Sequence, residues 1–402
     1  MEVSFIIALS IVLLSIASSC VWRVLNWVWL KPKKLEKCLR QQGLAGNSYR
    51  VLIGDVRESF RVMKEARSKP MNLSDDAASR VLPFLYQTIA KHGKNSFTWF
   101  GATPRVTIMN PDYLNEILTK YDDFRRPHTA PVVKLLSYGL ANLEGEKWVK
   151  QRKIINPAFH MEKLKNMLPA IYQSSTDMIR KWEIMVSEEG SCELDIWPFL
   201  QNLSGDVISR TAFESNWKEI RQYGGNKNLG MSIEEARARQ EVLQVFGNNK
   251  PDFDGLIHLK VVTMIIYEVL RLYPPVPMMT RAVQKETQLG NLLLPSGVQL
   301  SLPIFLIQRD QTLWGEDANE FNPQRFSEGI SKATKGQVSF IPFGWGPRIC
   351  IGQNFGLMEA KMALSLMLHG FTFELSPSYI HGPMTIITTQ PQYGAHIILH
   401  KR

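Results

Sequence analysis

A chain of 402 residues, 45% hydrophobic and 21% charged, has the composition of a folded protein and the length for a sizeable core. Its formal net charge of +10 points to an anionic partner surface, but no basic run interleaved with aromatics occurs, so nucleic acid is excluded in favour of acidic lipid or an acidic protein. The four cysteines (Cys20, Cys38, Cys192, Cys350) form no CxxC pair, no zinc spacing and no disulfide framework, as in a reducing compartment.

The chain opens on Ser4 to Trp22, a stretch without charge that is long enough to cross about 30 Å of hydrocarbon as a helix. Arg23, Trp27 and Trp29 follow, then Lys31, Lys33 and Lys34. Aromatics at the boundary and lysines beyond it predict an anchor over residues 1–30, contact with membrane lipid, and the rest of the chain on the cytosolic side. A cleaved signal peptide is the rival reading, since Ala17, Ser18 and Ser19 are small. However, the only charge before the apolar run is Glu2, and the run is long for a signal peptide.

Phe97 to Met109 reads as two strands around a Gly-Ala-Thr-Pro turn. Asn110-Pro111-Asp112 then opens a helix, with Asn as cap and Pro at its first position. Helical patterns follow at Glu144 to Ile155, Met161 to Val186, Ile233 to Phe246 and Leu259 to Leu272. A strand is expected near Val298 to Leu302, and Met384 to His400 reads as a β-hairpin interrupted at Pro391 and Gly394. The fold class is mainly α with small β-sheets, residues 31–402 forming one domain.

The stretch Phe343 to Gly352, FGWGPRICIG, carries the chemistry. Gly346 and Gly352 lack a Cβ and would let the backbone approach something flat and bulky. Cys350 precedes a helix whose positive dipole end favours thiolate, and Arg348 supplies a cation two residues away. A thiolate on a rigid turn suits a soft axial ligand to iron. The bland alternative is a structural cysteine after a turn.

The pattern F-x-x-G-x-R-x-C-x-G, matched by Phe343, Gly346, Arg348, Cys350 and Gly352, resembles the haem-binding loop of cytochrome P450s. Three further elements of that family occur in order. Glu268 and Arg271, three apart in YEVLRLYPP, share a helix face and resemble its E-x-x-R helix. Arg325 in FNPQRF matches the arginine completing a Glu-Arg-Arg cluster, and Trp148 and Arg152 in WVKQR resemble a Trp-x-x-x-Arg helix that reaches the haem propionates. The wording is closest to plant microsomal members similar to secologanin synthase.

The resemblance implies a P450 fold with haem held by Cys350 as iron ligand. Phe343 would shield the sulfur, and Arg348, Trp148, Arg152 and Arg281 would serve the propionates. Val276 to Thr280 would line the substrate side. It further implies a monooxygenase of the endoplasmic reticulum membrane, single-pass with a cytosolic domain, that oxidises a hydrophobic or terpenoid small molecule with O2. Electrons would come from NADPH–cytochrome P450 reductase, docking near Lys150, Lys153 and Lys361.

One family element is missing. Between Lys153 and Tyr267 there is no A/G-G-x-D/E-T helix, the segment that crosses the oxygen side of the haem. Ser204-Gly205-Asp206-Val207 comes nearest but belongs to an earlier helix. Only 45 residues separate Phe213 from Leu259, too few for the oxygen-side helix, which needs about 20 residues to cross a domain, together with the lid helices. The expectation is an internal shortening between about 214 and 236. Two alternatives follow: a catalytically impaired, haem-binding variant, and a P450-like isomerase, from which the ordinary cysteine loop departs.

Overall fold

The computed structural model describes residues 2–127, 139–186, 190–212 and 233–402. The helix Glu2–Leu25 continues through a π-turn at Asn26–Leu30 into the helix Lys31–Gln41. Within this continuous run, Phe5–Gln41 contains a segment long and apolar enough to cross a membrane, and none of that segment is buried against the protein. Pro32 lies in the first turn of Lys31–Gln41, where its missing N–H costs little.

Strands β1 (Ala45–Gly46), β2 (Ser96–Phe100), β3 (Thr103–Thr107), β4 (Phe124–Arg125), β6 (Met279–Val283) and β9 (Gln299–Leu302) form one sheet in the order β1-β2-β3-β9-β6-β4. The β2–β3 pair is the predicted antiparallel unit, with Phe97 opposite Val106. Asn110 caps the helix Pro111–Thr119 as expected, its Oδ1 accepting the amides of Asp112 at 2.9 Å and Tyr113 at 3.1 Å. Apolar side chains from this sheet, Lys31–Gln41 and Pro111–Thr119 form one core, which includes Leu39, Phe97, Ile117 and Leu300.

A second core lies among the helices Met161–Val186, Trp197–Ala212, Ile233–Phe246, Lys260–Leu272 and Gln353–Gly370. The bounds of Met161–Val186, Ile233–Phe246 and Lys260–Leu272 follow the predicted periodicity closely. Trp182, Val207, Val242, Val262 and Met362 meet there because each sits on the apolar stripe of its helix.

The carboxyl-terminal expectation needs correction. Strands β11 (Pro383–Thr385) and β12 (Thr389–Pro391) form a short hairpin by themselves. The final strand, β13 (His396–Lys401), pairs instead with β10 (Phe371–Leu375) and β5 (Ser191–Asp195), in the order β10-β13-β5. Gly394, at φ 79°, turns the chain out of the hairpin before it enters this second sheet. Strands β7 (Thr287–Leu289) and β8 (Leu292–Leu294) make a separate hairpin.

Candidate functional site

The loop before Gln353–Gly370 is closed on itself. The Cys350 amide donates to the Phe343 carbonyl at 2.8 Å, and Ile349 N donates to Gly346 O at 3.1 Å. Gly344 and Gly346 both have positive φ, 78° and 68°, where a side chain would be strained. The result is a tight turn that leaves Cys350 exposed, three residues before the helix begins. Phe343 is half-buried and contributes its carbonyl to the turn.

The glycines have a different neighbour from the one expected. A Cβ on Gly346 would stand 2.7 Å from the Leu118 carbonyl, so this glycine lets the loop close against the helix Pro111–Thr119. A Cβ on Gly352 would meet only ordinary contacts, Phe159 at 3.7 Å and Cys350 Sγ at 4.0 Å. Neither observation requires a flat ligand.

The arginines do point to one. Arg348 Nη1 lies 2.6 Å from Glu144 Oε2, its Nη2 donates to Leu143 O at 2.6 Å, and its guanidinium stands 4.6 Å over the Trp148 ring. Arg126 approaches the other oxygen of Glu144 at 4.0 Å. Arg281 is 6% exposed and donates only to its own neighbourhood, the Thr280 carbonyl at 3.0 Å and the Met279 sulfur at 3.9 Å. Burial, then the fields of Arg126 and Arg348, push Arg281 down to about 10. Burial and Arg348 likewise lower Arg126.

Three guanidiniums therefore crowd a single carboxylate, Glu144, which pairs with Arg348 and, at longer range, with Arg126 but not with Arg281. Buried positive charge left without a counterion is costly, and guanidinium forks pair best with carboxylates. A flat group carrying two carboxylates fits this excess, and haem is such a group.

Trp148 and Arg152 have different partners. Both sit on the helix Gly145–Ile155, but the cation over Trp148 is Arg348, while Tyr121 tilts against the indole at 5.2 Å. Arg152 Nη1 instead donates to Ile349 O at 2.9 Å, next to Cys350. Burial lowers Arg152, and the neighbouring Cys350 opposes that shift.

Beneath the loop, Glu268 and Arg271 are fully buried and paired at 2.7 and 2.8 Å. Arg271 spends its remaining donors on the carbonyls of Gln308, Ala318 and Glu320. Arg325 completes the cluster at 3.6 Å from Glu268 but makes its short pair, 2.7 Å, with Asp317. This buried cluster is a structural lock rather than reacting chemistry.

On the expected substrate side, Thr389 ties the β11–β12 hairpin to the YPP loop. Its N–H and hydroxyl each donate at 2.8 Å, to Pro275 O and Pro274 O. Ile386 and Ile387 at the hairpin tip and Val276 in the loop are exposed. Asp206, in the stretch nearest to an oxygen-side signature, accepts from Ser174 at 2.7 Å and Arg210 at 2.7 Å within its own helix layer. It is a packing residue. The expected shortening, between about 214 and 236, lies outside the described residues up to 232, with its far edge at Ala236 inside the helix Ile233–Phe246.

The class follows from this loop, this lock and this arginine cluster: the chain belongs to the cytochrome P450 family, whose model matches residues 80–224 and 234–394. It is a haem-thiolate monooxygenase of the plant type, and haem is its cofactor. Cytochrome P450 72A397 of Kalopanax septemlobus is 48% identical over 94% of this chain and 95% of its own. The 7-deoxyloganic acid hydroxylase of Catharanthus roseus is 42% identical across the whole of both chains, in an alignment of 520 positions. The 11-oxo-beta-amyrin 30-oxidase of Glycyrrhiza uralensis is 43% identical over 96% of this chain and 97% of its own.

Sequence reasoning missed Arg126 and Glu144. Neither stands in a motif, and Arg126 could have been suspected only from the strand Phe124–Arg125 beside it.

Proposed function

We propose that this monooxygenase oxidises a hydrophobic, terpenoid-type small molecule, and that Cys350 is the residue whose thiolate would hold the haem iron. The carrying observation is the closed turn that presents an exposed Cys350, together with a cluster in which Arg126, Arg281 and Arg348 have a single carboxylate, Glu144, among them. Two relatives named for 7-deoxyloganic acid and 11-oxo-beta-amyrin support the substrate class. Haem, when bound, supplies the iron at which oxygen is activated. Arg126, Arg281 and Arg348 would hold its carboxylates, Glu144 and Trp148 hold Arg348, and Arg152 fixes the loop through Ile349. The Phe343 carbonyl closes the loop on the Cys350 amide, and Gly346 leaves it room against the Leu118 carbonyl, whereas Gly352 meets only ordinary contacts.

Electrons come from NADPH–cytochrome P450 reductase, docking on the face of the helix Gly145–Ile155, where Lys150 and Lys153 are exposed. Lys361 does not belong to that face: its ammonium is part-buried, donates to Leu256 O at 3.0 Å, and is held below its usual range by burial. The apolar helix at the amino terminus anchors the chain in the endoplasmic reticulum membrane, single-pass, with residues 31–402 in the cytosol.

A second reading, a haem-binding chain with impaired turnover, is favoured by one observation. The family match breaks between residues 224 and 234, and 520 aligned positions hold only 402 residues of this chain. An internal segment on the oxygen side is accordingly read as absent. The test is reconstitution of the full chain with reductase and NADPH on a panel of terpenoid acids. Hydroxylated product supports the first reading, and haem-loaded protein without product supports the second.

A further inference from the structure

Residues 66–80 and 381–393 are distant in the chain, yet two arginines fasten them together. Arg80, 4% exposed, donates from Nη1 to the carbonyls of Ala66, at 2.8 Å, and Lys69, and from Nη2 to Gln392 Oε1 at 2.6 Å. Gln392 Nε2 donates in turn to Arg67 O at 3.1 Å, and the Met71 amide donates to His381 O at 3.0 Å. Arg67 Nη2 then reaches the Thr385 carbonyl. These bonds fix the backbone around Arg67 and set its side chain against the β11–β12 hairpin.

Three polar atoms of this network are left over. Arg67 Nε, Arg80 Nε and Thr385 Oγ1 are buried with no hydrogen-bond partner among the described residues. Asp75 and Asp76 accept the amides of Asn72 at 2.7 Å and Ala78 at 2.9 Å and pair with neither arginine. Burial, then the field of Arg80, lowers Arg67, and burial with the fields of Arg80 and Arg309 lowers His381. A guanidinium that meets only carbonyls keeps its whole charge, and buried polar atoms are normally paired. Guanidinium N–H groups beside a hydroxyl suit a carboxylate, which accepts several hydrogen bonds at once.

The cluster adjoins the expected substrate side. Thr385 ends β11 opposite Thr389 of β12, and Thr389 is bonded to Pro274 and Pro275, immediately before Val276. Ile386 and Ile387 follow Thr385 at the exposed hairpin tip. An apolar tip next to an uncompensated cation matches a ligand with an apolar skeleton and one acidic end.

We infer that Arg67, together with Thr385, binds a carboxylate of the substrate, so that the chain selects terpenoid acids over neutral terpenoids. Arg80 and Gln392 are positioning residues that hold Arg67 to the hairpin. A neutral ligand of the same shape leaves the guanidinium unpaired away from water, and such a missing partner discriminates far more strongly than apolar bulk does. The inference rests on the terpenoid reading proposed above.

The experiment measures binding rather than turnover. Equilibrium dialysis of the haem-loaded full chain uses 7-deoxyloganic acid and oleanolic acid, each beside its methyl ester. Wild type is expected to bind at least one acid about tenfold tighter than its ester. Thr385→Val removes an atom that has no other partner, so it should shrink this preference at an unchanged melting temperature. Arg67→Met should abolish the preference, and Arg67→Lys should restore part of it. An ester bound as tightly as its acid overturns this inference and leaves the terpenoid reading standing, whereas failure of all four compounds to bind overturns both. A preference that survives Arg67→Met also overturns it. So does sodium acetate that raises the wild-type melting temperature as much as either acid at equal concentration, which would show a site for free anions only.

Discussion

Arg348 and Glu144 pair at 2.6 Å, and that pair leaves Arg281 without a carboxylate partner among the described residues. The nearest negative charge is already occupied, so the field at Arg281 stays positive. An incoming dianion therefore meets a site whose charge is set but not neutralised.

Cys350→Ala tests the ligand. Reduced wild-type protein under carbon monoxide should give the red-shifted Soret band of a thiolate-ligated haem, and the variant should lose it. A red-shifted band that survives the substitution removes Cys350 from the role.

Arg281→Met should act with opposite signs on the two forms of the chain. Without haem, removing a buried unpaired charge raises thermal stability. With haem, losing a hydrogen bond to a charged group costs about 1.5–3 kcal/mol, or roughly ten- to hundredfold in haem affinity. The measurements are thermal denaturation of the haem-free chain and the rate of haem transfer to apomyoglobin. Equal loss of stability in both forms contradicts the assignment.

Glu268→Ala breaks a fully buried pair and strands Arg271. The cost of removing one partner is about 3–5 kcal/mol, a large part of a domain's stability. Little soluble, haem-loaded protein should be recovered at 25 °C. Recovery equal to wild type means that the cluster is not the lock described above.

His381 sets an acid limit on stability. It is buried between the hydroxyls of Tyr379 at 2.9 Å and Tyr273 at 3.5 Å, and burial, then the nearby Arg80 and Arg309, depress its pKa against the opposing Asp75. With the folded value below the ordinary 6.5, the unfolded chain takes up the proton first. Its contribution is therefore full above about pH 6.5 and is lost as pH falls below that value. Between pH 7 and 5, the melting temperature of wild type should drop more than that of His381→Gln; parallel curves refute this.

Turnover is expected to leak. If the oxygen-side acid–alcohol pair is absent, a placed proton donor worth roughly 10²–10⁴ in rate is absent with it. With reductase present, NADPH consumption should yield hydrogen peroxide well in excess of product. Tight coupling to an oxygenated terpenoid would show that another segment supplies the proton.

What could be read from residues alone was whatever is local in the chain. The Asn110 cap, the pairing of Glu268 with Arg271 three residues on, and the ends of Met161–Val186 and Ile233–Phe246 need only neighbours in sequence. The partner of Trp148 needed more, because Arg348 arrives from 200 positions away, and nothing in WVKQR distinguishes it from Arg152 four residues later. Gly346 misled for a related reason: a missing Cβ marks a close approach but not its partner, here Leu118 O. At the carboxyl terminus, Pro391 and Gly394 gave the right turn, but strand pairing with Glu193 and its neighbours is a long-range choice that alternation cannot encode.

The crowding of Arg126, Arg281 and Arg348 around Glu144 also bears on how much of this protein a cell retains. A chain that has just emerged carries that mutual repulsion until its cofactor arrives, and each 1.4 kcal/mol shifts the folded-to-unfolded ratio about tenfold. The hypothesis is that half-life is coupled to haem supply. Pulse-chase under haem depletion should shorten the lifetime of wild type and spare Arg281→Met, and equal decay of the two would refute it. Unfilled copies are thus marked for removal by their own electrostatics, and abundance becomes a record of cofactor delivery.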